Sequence, residues 1–309
     1  MCLKWPFPYT CNAMPTNPLN LDHAAHFLPD IDAASTALDR LGFTLTPFSA
    51  QSHRLQADGP LVPAGTGNRC VMLQNGYLEF LTPTHDTPNA RQLRNAIARY
   101  TGVHLIAFGT QAPEGDFQRL ETAGFLPLPP VALQRQTSTA GGGEATARFT
   151  VVRVPPEAMA EGRIQYCQHH TPQAVWQPRW LSHANHAVGL AGVLLCVADP
   201  AEAAARYARF TGLIPQHTGQ AWRLDTGRGY LLITSAAALQ ASLGVKVPTL
   251  PWIAGHVIDS DDLAATRVAT HGNAFGERVL VPLPDALGGV MLFQTVGCPP
   301  VDITWETQI

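Results

Sequence analysis

Residues 19–28 read Leu-Asn-Leu-Asp-His-Ala-Ala-His-Phe-Leu, and residues 188–199 read Val-Gly-Leu-Ala-Gly-Val-Leu-Leu-Cys-Val-Ala-Asp. The two stretches align without a gap when Leu21 is matched to Leu190. Each is apolar enough to form a buried strand, and a helical stretch follows each of them. Because a motif that recurs within one chain indicates a duplicated structural unit, these two openings decide the fold.

The same opening recurs twice more in a weaker form. It begins at Gly102 and at Pro251, and helices are expected after it over Glu114–Ala123 and Asp261–Thr270. Residues suited to begin or end a helix stand at the matching places, with Asp30, Asp199, and Ser260 or Asp261 at the starts and Gly42, Gly124, Gly212 and Gly272 at the ends. The chain therefore holds four related units.

Short strand-like runs follow each helix. They are expected at 44–48, 69–73, 76–81, 149–154, 163–167, 222–225, 229–234, 278–281 and 289–294. Four βαβββ modules, taken in pairs, predict an α+β fold with two domains of similar plan. Two further stretches, Gln51–Gly67 and Pro127–Thr146, are expected to be loops.

The pairing of the modules predicts where the domains begin and end. We expect a flexible N-terminal arm at 1–18, a first domain at 19–175, a linker at 176–187, a second domain at 188–298 and a C-terminal tail at 299–309.

The composition limits the class of partner. The 309 residues are 46% apolar and 14% charged, with a formal net charge of -3, so there is no basic surface for nucleic acid or an anionic membrane. The six cysteines show neither a CxxC motif nor the spacing of a disulfide framework. We therefore expect a cytoplasmic protein, a monomer or homodimer, that acts on a small-molecule substrate.

The modules and their openings resemble the vicinal oxygen chelate superfamily, which includes glyoxalase I, extradiol dioxygenases, an acyl-CoA epimerase and the bleomycin-resistance proteins. The first domain is most similar to the glyoxalase-like domain family. The resemblance is carried by Leu21-Asp22-His23, Tyr77-Leu78-Glu79-Phe80-Leu81 and Gln168-His169-His170-Thr171-Pro172. It implies two paired domains of the glyoxalase/bleomycin-resistance type.

Four polar side chains lie in otherwise apolar strands of the first domain: His23, Glu79, His104 and Gln165. Because side chains alternate along a strand, we expect His23 on one face and both Asp22 and His26 on the other. In the resembling superfamily, these positions converge on one divalent metal, which implies that His23, Glu79 and His104 are ligands and that Gln165 is a fourth ligand or their neighbour. Two imidazoles and a carboxylate suit Fe, Mn, Ni, Co or Zn. The alternative is a set of satisfied core residues without a metal.

The implied metal ligands indicate a class of reaction. A divalent ion chelated by two substrate oxygens polarises a carbonyl and stabilises a developing anion, as a lyase, an isomerase or a dioxygenase requires. Gln165 cannot abstract a proton, which argues against true glyoxalase I activity unless another group such as His169, His170 or Glu161 serves as the base. The equivalent positions in the second domain are Gly192, Leu232, Ile253 and Leu292, so that domain is expected to be a degenerate copy without a metal.

Further site residues are expected near the domain boundary. His170 is a candidate for acid/base work, Arg179 for contact with a substrate carboxylate and Trp176 for a wall of the site. The alternative is a linker whose aromatic residues pack between the domains. Arg69 follows a glycine-rich loop and is a candidate substrate contact.

A metal-free protein is the principal alternative function. In a binding or sequestering protein of the bleomycin-resistance type, His23, Glu79 and His104 would form a hydrogen-bonded polar cluster around a planar ligand.

Overall fold

A computed structural model describes residues 19–54, 60–139 and 141–301. The expected N-terminal arm at 1–18 and most of the C-terminal tail lie outside the described residues. None of the helices in the described part of the chain is long and apolar enough to cross a membrane.

Within these ranges, sixteen strands form one continuous sheet. The strands of the first half are β1 (Asn20–Phe27), β2 (Ser49–Arg54), β3 (Leu61–Met72), β4 (Tyr77–Pro83), β5 (Gly102–Gly109), β6 (Leu128–Ser138), β7 (Glu144–Arg153) and β8 (Arg163–His169). Those of the second half are β9 (Ala187–Val197), β10 (Gln216–Thr218), β11 (Ala221–Asp225), β12 (Tyr230–Ser235), β13 (Trp252–Ser260), β14 (Asn273–Phe275), β15 (Arg278–Pro282) and β16 (Val290–Thr295).

The described α-helices fall into two groups. Each module has one helix after its first strand, and these are α1 (Ile31–Arg40), α3 (Pro113–Thr122), α5 (Pro200–Thr211) and α7 (Leu263–Thr270). The connections between modules carry the others, which are α2 (Pro88–Arg99), α4 (Pro172–Val175) and α6 (Ala236–Leu243).

The strand order confirms the predicted α+β fold of paired βαβββ modules. The first half runs β2-β3-β4-β1-β5-β8-β7-β6, and the second runs β10-β11-β12-β9-β13-β16-β15-β14. In each half the two modules meet where their first strands pair antiparallel, β1 with β5 and β9 with β13. The halves join where Ile253 of β13 pairs with Val103 of β5.

The module helices begin where side chains cap them. The carboxylates of Asp30 and Asp199 accept backbone N–H groups at the starts of α1 and α5, as predicted. The prediction for the fourth helix was wrong, because Asp262 caps α7 instead of Ser260 or Asp261, and His271 takes the left-handed position expected for Gly272.

The two predicted loops were also wrong, because strands cross both of them. β2 and β3 cover much of 51–67, while β6 and β7 cover much of 127–146. β6 lies at the edge of the sheet and is largely exposed, so its sequence lacks the clear apolar alternation that identifies a half-buried strand.

The sheet has an outer face, on which the module helices pack, and an inner face. Bulges decide which residues of β1 and β5 reach the inner face. A register shift between Leu21 and His23 turns the side chains of both Asp22 and His23 inward. A second shift leaves His104 unpaired between Val103 and Leu105.

Candidate active site

The inner face of the first half encloses a cavity of about 310 Å³. Strands β1 and β3–β8 form most of its wall, and Leu93 of α2 closes one side. Apolar side chains such as Leu105, Leu133 and Val151 provide part of the lining, and charged and amide side chains provide the rest. A concave site of mixed lining is the usual form of a small-molecule site.

A triad of Asp22, His23 and His169 lies beside this cavity: His23 lines it, and the largely buried His169 packs against the lining residues Tyr77 and Phe149. The Asp22 Oδ2 atom is 2.6 Å from His23 Nδ1 and 2.9 Å from His169 Nε2. One potential ligand atom from each of the three residues lies within 4.8 Å of the others. The bulge in β1 supplies two members, and His169 at the end of β8 supplies the third.

The charge of the triad follows from its hydrogen bonds. Burial by itself would raise the pKa of Asp22, but the hydrogen bonds and charges of His169 and His23 hold that pKa well below its ordinary value of 3.8. The carboxylate is therefore ionised at neutral pH. The Nδ1 atom of His169 is buried and has no hydrogen-bond partner among the described residues.

Aromatic rings fix the two imidazoles. The Tyr77 ring stacks on His23 with centroids 4.4 Å apart, and the Trp176 ring lies 4.8 Å from His169, edge to face. Such an arrangement suits two chemistries: coordination of a cation by two imidazoles and a carboxylate, or proton transfer by His23, whose Nδ1 the carboxylate of Asp22 orients.

Three of the four side chains predicted as ligands line the cavity, namely His23, Glu79 and Gln165. Glu79 Oε1 accepts hydrogen bonds from Asn68 Nδ2 and, at 3.4 Å, from Gln51 Nε2. Gln165 Oε1 accepts one from Arg153 Nε at 3.2 Å. Glu79 is paired with Ala25 and Gln165 with Ala107, which places the two at equivalent positions of their modules.

His104 does not line the cavity. Its Nε2 atom lies 2.8 Å from the carbonyl oxygen of Tyr100, and its ring stacks between Tyr100 and Phe27. Burial lowers the pKa of His104 to about 4, so the ring is neutral at pH 7. The bulge gives the cavity position to Leu105 instead. Among the described residues, the group that converges is therefore the triad, and neither His104 nor Glu79 belongs to it.

The remaining candidates lie around the site or away from it. Trp176 touches the triad and donates a hydrogen bond from Nε1 to the carbonyl of Leu73 at 3.1 Å. Arg69 donates to the carbonyl of Thr46, and it alternates with the cavity-lining Asn68 and Cys70. The exposed His170 contacts Thr150, and the exposed Arg179 contacts Ser138. Arg69, His170 and Arg179 therefore do not line the cavity.

The family model described as "Glyoxalase-like domain" matches residues 21–211, which include the whole cavity and the triad. The chain belongs to the glyoxalase-like domain family. A comparison of its sequence with curated proteins finds no match.

The solved structures that this glyoxalase-like chain resembles share its fold. A hypothetical protein from Staphylococcus aureus gives a TM-score of 0.63 at 11% identity, covering 90% of this chain and 100% of that one. A mutant of 4-hydroxymandelate synthase from Streptomyces coelicolor gives 0.53 at 14% identity, covering 94% and 96%. A xylose isomerase-like TIM barrel/4-hydroxyphenylpyruvate dioxygenase fusion protein gives 0.54 at 11% identity, covering 91% of this chain and 50% of that one.

The second half of this glyoxalase-like chain has apolar residues where the first half has its polar site. Gly192, Leu232 and Leu292 occupy the positions of His23, Glu79 and Gln165, as the pairing of their strands shows. Ala254, rather than the expected Ile253, is equivalent to His104, because each of the two is the residue skipped at the bulge of its own strand. Tyr230 fills the space beside Gly192, and Leu239 of α6 packs on the same apolar cluster.

Several residues of the site were not among the sequence candidates. Alternation assigned Asp22 to the wrong face, because the bulge in β1 has no signature in the sequence. The sequence offers His169 only as a possible base, beside His170 and Glu161, although it alternates with Gln165 and Cys167 along β8 and so shares their face. Arg135, Arg153 and Arg163 line the cavity, and Arg135 lies on β6, in a stretch for which the sequence predicts a loop.

Proposed function

We propose that this glyoxalase-like protein is a metal-dependent enzyme that binds a small, oxygen-rich substrate in the cavity of its first half. Asp22, His23 and His169 would hold one divalent ion. The proposal depends on one observation above all: two imidazoles and an ionised carboxylate converge beside a small-molecule cavity, and one of the imidazoles, that of His23, lines it.

The donor set fits a divalent ion of the first transition series. Two histidines and one carboxylate suit Fe(II), Mn(II), Co(II), Ni(II) or Zn(II), and they leave coordination positions open for substrate. The buried Nδ1 atom of His169, which has no partner among the described residues, adds a donor that the protein's own hydrogen bonds do not use. A burial this deep is costly for the Asp22 charge unless cationic or hydrogen-bonding groups surround it.

Each group of this chain has a task in the proposed reaction. The ion, when bound, polarises a substrate oxygen. Asp22 holds the ring of His23 in place through Nδ1, while Tyr77 and Trp176 cover the imidazoles and exclude water from them. Arg153 orients the amide of Gln165 toward the same cavity. The reaction is of the lyase, isomerase or dioxygenase type, and the names of the structural neighbours make dioxygenase activity the first to assay.

The metal content of the purified protein tests the proposal. After loading with Fe(II), Mn(II), Co(II), Ni(II) or Zn(II) in turn and desalting, the wild type should retain about one ion per chain of at least one of these metals. Asp22→Asn and His169→Gln should lose it, because each removes a converging donor. His170→Gln is the matched control, since this exposed neighbour lies outside the cavity, and it should retain the ion.

Two results would contradict the assignment. Retention of the ion by both Asp22→Asn and His169→Gln would show that it is bound elsewhere. If Glu79→Gln loses the ion while His169→Gln keeps it, the ligands are those that the sequence predicted around Glu79.

A metal-free binding protein is the second candidate, and the hydrogen bonds favour it in one respect. Asp22 already accepts from both histidines, and Glu79 already accepts from Asn68 and Gln51, so these groups are satisfied without an ion. Failure of the wild type to retain any of the five metals would favour this candidate.

A further inference from the structure

Three arginines line the cavity of the first half and bring an excess of positive charge into it. Arg135 lies on β6, Arg153 ends β7 and Arg163 begins β8. Within the described ranges, none of the three forms an ion pair with a carboxylate. Glu79 is the one carboxylate of the described residues that lines the same cavity. Three cationic groups therefore face a single anionic one.

The hydrogen bonds of these arginines do not compensate their charge. Arg153 Nε donates to the neutral amide of Gln165 at 3.2 Å, and Arg163 Nη2 donates to that of Gln92 at 3.2 Å. The Nε atom of Arg135 is buried without a partner among the described residues. Since a guanidinium carries five N–H donors, each of the three arginines has donors to spare.

The effect of a neighbouring positive charge is visible at Arg163. Burial and the nearby charge of Arg153 lower the pKa of Arg163 to about 10, although Glu79 opposes this effect. Burial also lowers the pKa of Arg153. At Arg135, nearby Cys70, Tyr77 and Glu79 raise the pKa against the effect of burial. A guanidinium stays protonated at neutral pH, so all three groups are cationic. A cluster of half-buried like charges in one cavity is unfavourable unless an opposite charge joins it.

We propose that the cavity binds a small organic acid, whose anionic group is held by Arg135, Arg153 and Arg163. Guanidinium groups recognise carboxylate and phosphate through paired, charge-assisted hydrogen bonds. The apolar part of the acid packs against Leu105, Leu133 and Val151, which line the same space. This deepens the proposed function by giving the chemical class of the substrate, but it does not require the metal.

Binding of acids and their neutral analogues to the full chain tests the proposal. The protein is treated with EDTA, so that a failed metal site does not affect the result. Titration calorimetry then compares benzoate, phenylacetate and inorganic phosphate with the uncharged benzamide and phenylacetamide. We expect at least one of the acids to bind, and a carboxylic acid that binds should do so at least tenfold more tightly than its amide. Preference for inorganic phosphate over both carboxylates would identify phosphate esters as the source of the anion.

Variants locate the binding. Arg153→Gln and Arg163→Gln should each weaken acid binding by at least tenfold, and the Arg→Lys variants should lose less because they keep the charge. Arg91→Gln is the matched control, as this exposed arginine on α2 lies outside the cavity. Melting temperatures of all variants identify any that fail to fold, in which case the Lys variants decide.

Three outcomes would overturn the proposal. They are equal binding of acid and amide, undiminished acid binding in folded Arg153 and Arg163 variants, and absence of binding by every acid. The proposal would also be overturned if acids bind only after metal is added and bind equally well to the arginine variants. That result would leave the metal-dependent function intact.

Discussion

Asp22 offers a single carboxylate oxygen, Oδ2, to two imidazoles beside the cavity. Hydrogen bonds to an ionised group are roughly twice as strong as neutral ones, and burial removes the competing water. Because both histidines depend on the same atom, Asp22 sets the geometry of the whole triad.

Replacing Asp22 by Asn should therefore destabilise the metal-free protein. We expect a loss of about 2–4 kcal/mol in the free energy of unfolding, measured by urea denaturation of EDTA-treated protein, because the buried charged acceptor that both imidazoles share becomes a neutral amide. Asp261→Asn provides the matched control. Asp261 is also bonded to a histidine, His186, at 2.8 Å, but this pair is exposed and should contribute less than about 1 kcal/mol. Equal losses in the two variants would contradict the role assigned to Asp22.

The pattern of residues in the sequence predicts part of this site. Alternation along β4 and β8 correctly put Glu79 and Gln165 on one face, because these strands are regular and buried. It failed for Asp22 and His104, since a bulge reverses the side that a residue faces without changing the apolar pattern around it.

At the scale of the element, the bulged strand β1 depends on the turn before β4. Gly76 has a φ of +77°, and a Cβ atom built on it would lie 2.8 Å from the carbonyl oxygen of Asp22. The turn therefore lies so close to the backbone of Asp22 that only glycine, which has no Cβ atom, fits at position 76.

Gly76→Ala should lower the free energy of unfolding by more than Gly124→Ala. Gly124 has a φ of +80°, but a Cβ atom there would meet nothing within 4 Å. The control should therefore show only the backbone cost of about 1–2 kcal/mol, whereas Gly76→Ala adds a collision with Asp22. Chemical denaturation measures both values, and equal losses would contradict the close approach.

The elements themselves were predicted where burial is greatest. The first strands of the modules and the caps Asp30 and Asp199 were found because apolar runs and capping residues mark them. The strands β2 and β6 were missed, because strands at a sheet edge bury little surface and carry no strong pattern. The arginine on β6 was missed with them.

At the scale of the whole molecule, a buried histidine pair joins the two halves. His26 Nε2 lies 2.7 Å from His256 Nε2, while His26 Nδ1 lies 2.9 Å from the carbonyl oxygen of Leu287. These contacts are all satisfied when both rings are neutral, with His256 donating to His26 and His26 donating to the carbonyl. Burial lowers the pKa of His26 to about 4, and burial and the neighbouring His26 lower that of His256.

This pair predicts a loss of stability in mild acid. As the pH falls below about 6.5, these histidines become protonated in the unfolded chain but stay neutral in the folded protein. The free energy of unfolding therefore decreases progressively between about pH 6.5 and pH 4. The shift of His26 alone corresponds to a loss on the order of 2 kcal/mol between pH 7 and pH 5.

Unfolding free energies at pH 7 and pH 5 test this prediction. His256→Gln should lose less stability over this range than the wild type, because it lacks one of the two buried histidines that stay neutral in the folded protein. The exposed His170→Gln should lose as much as the wild type. A His256→Gln variant as sensitive to acid as the wild type would contradict the proposed role of the pair.

In the proposed function, Asp22, His23 and His169 hold one divalent ion. Anomalous diffraction from a crystal of the Zn(II)-loaded protein tests it most directly. We expect a single strong peak within about 2.0–2.2 Å of a donor atom of each of the three residues. A peak bound instead by Glu79 and Gln165, or no peak at the triad, would contradict it.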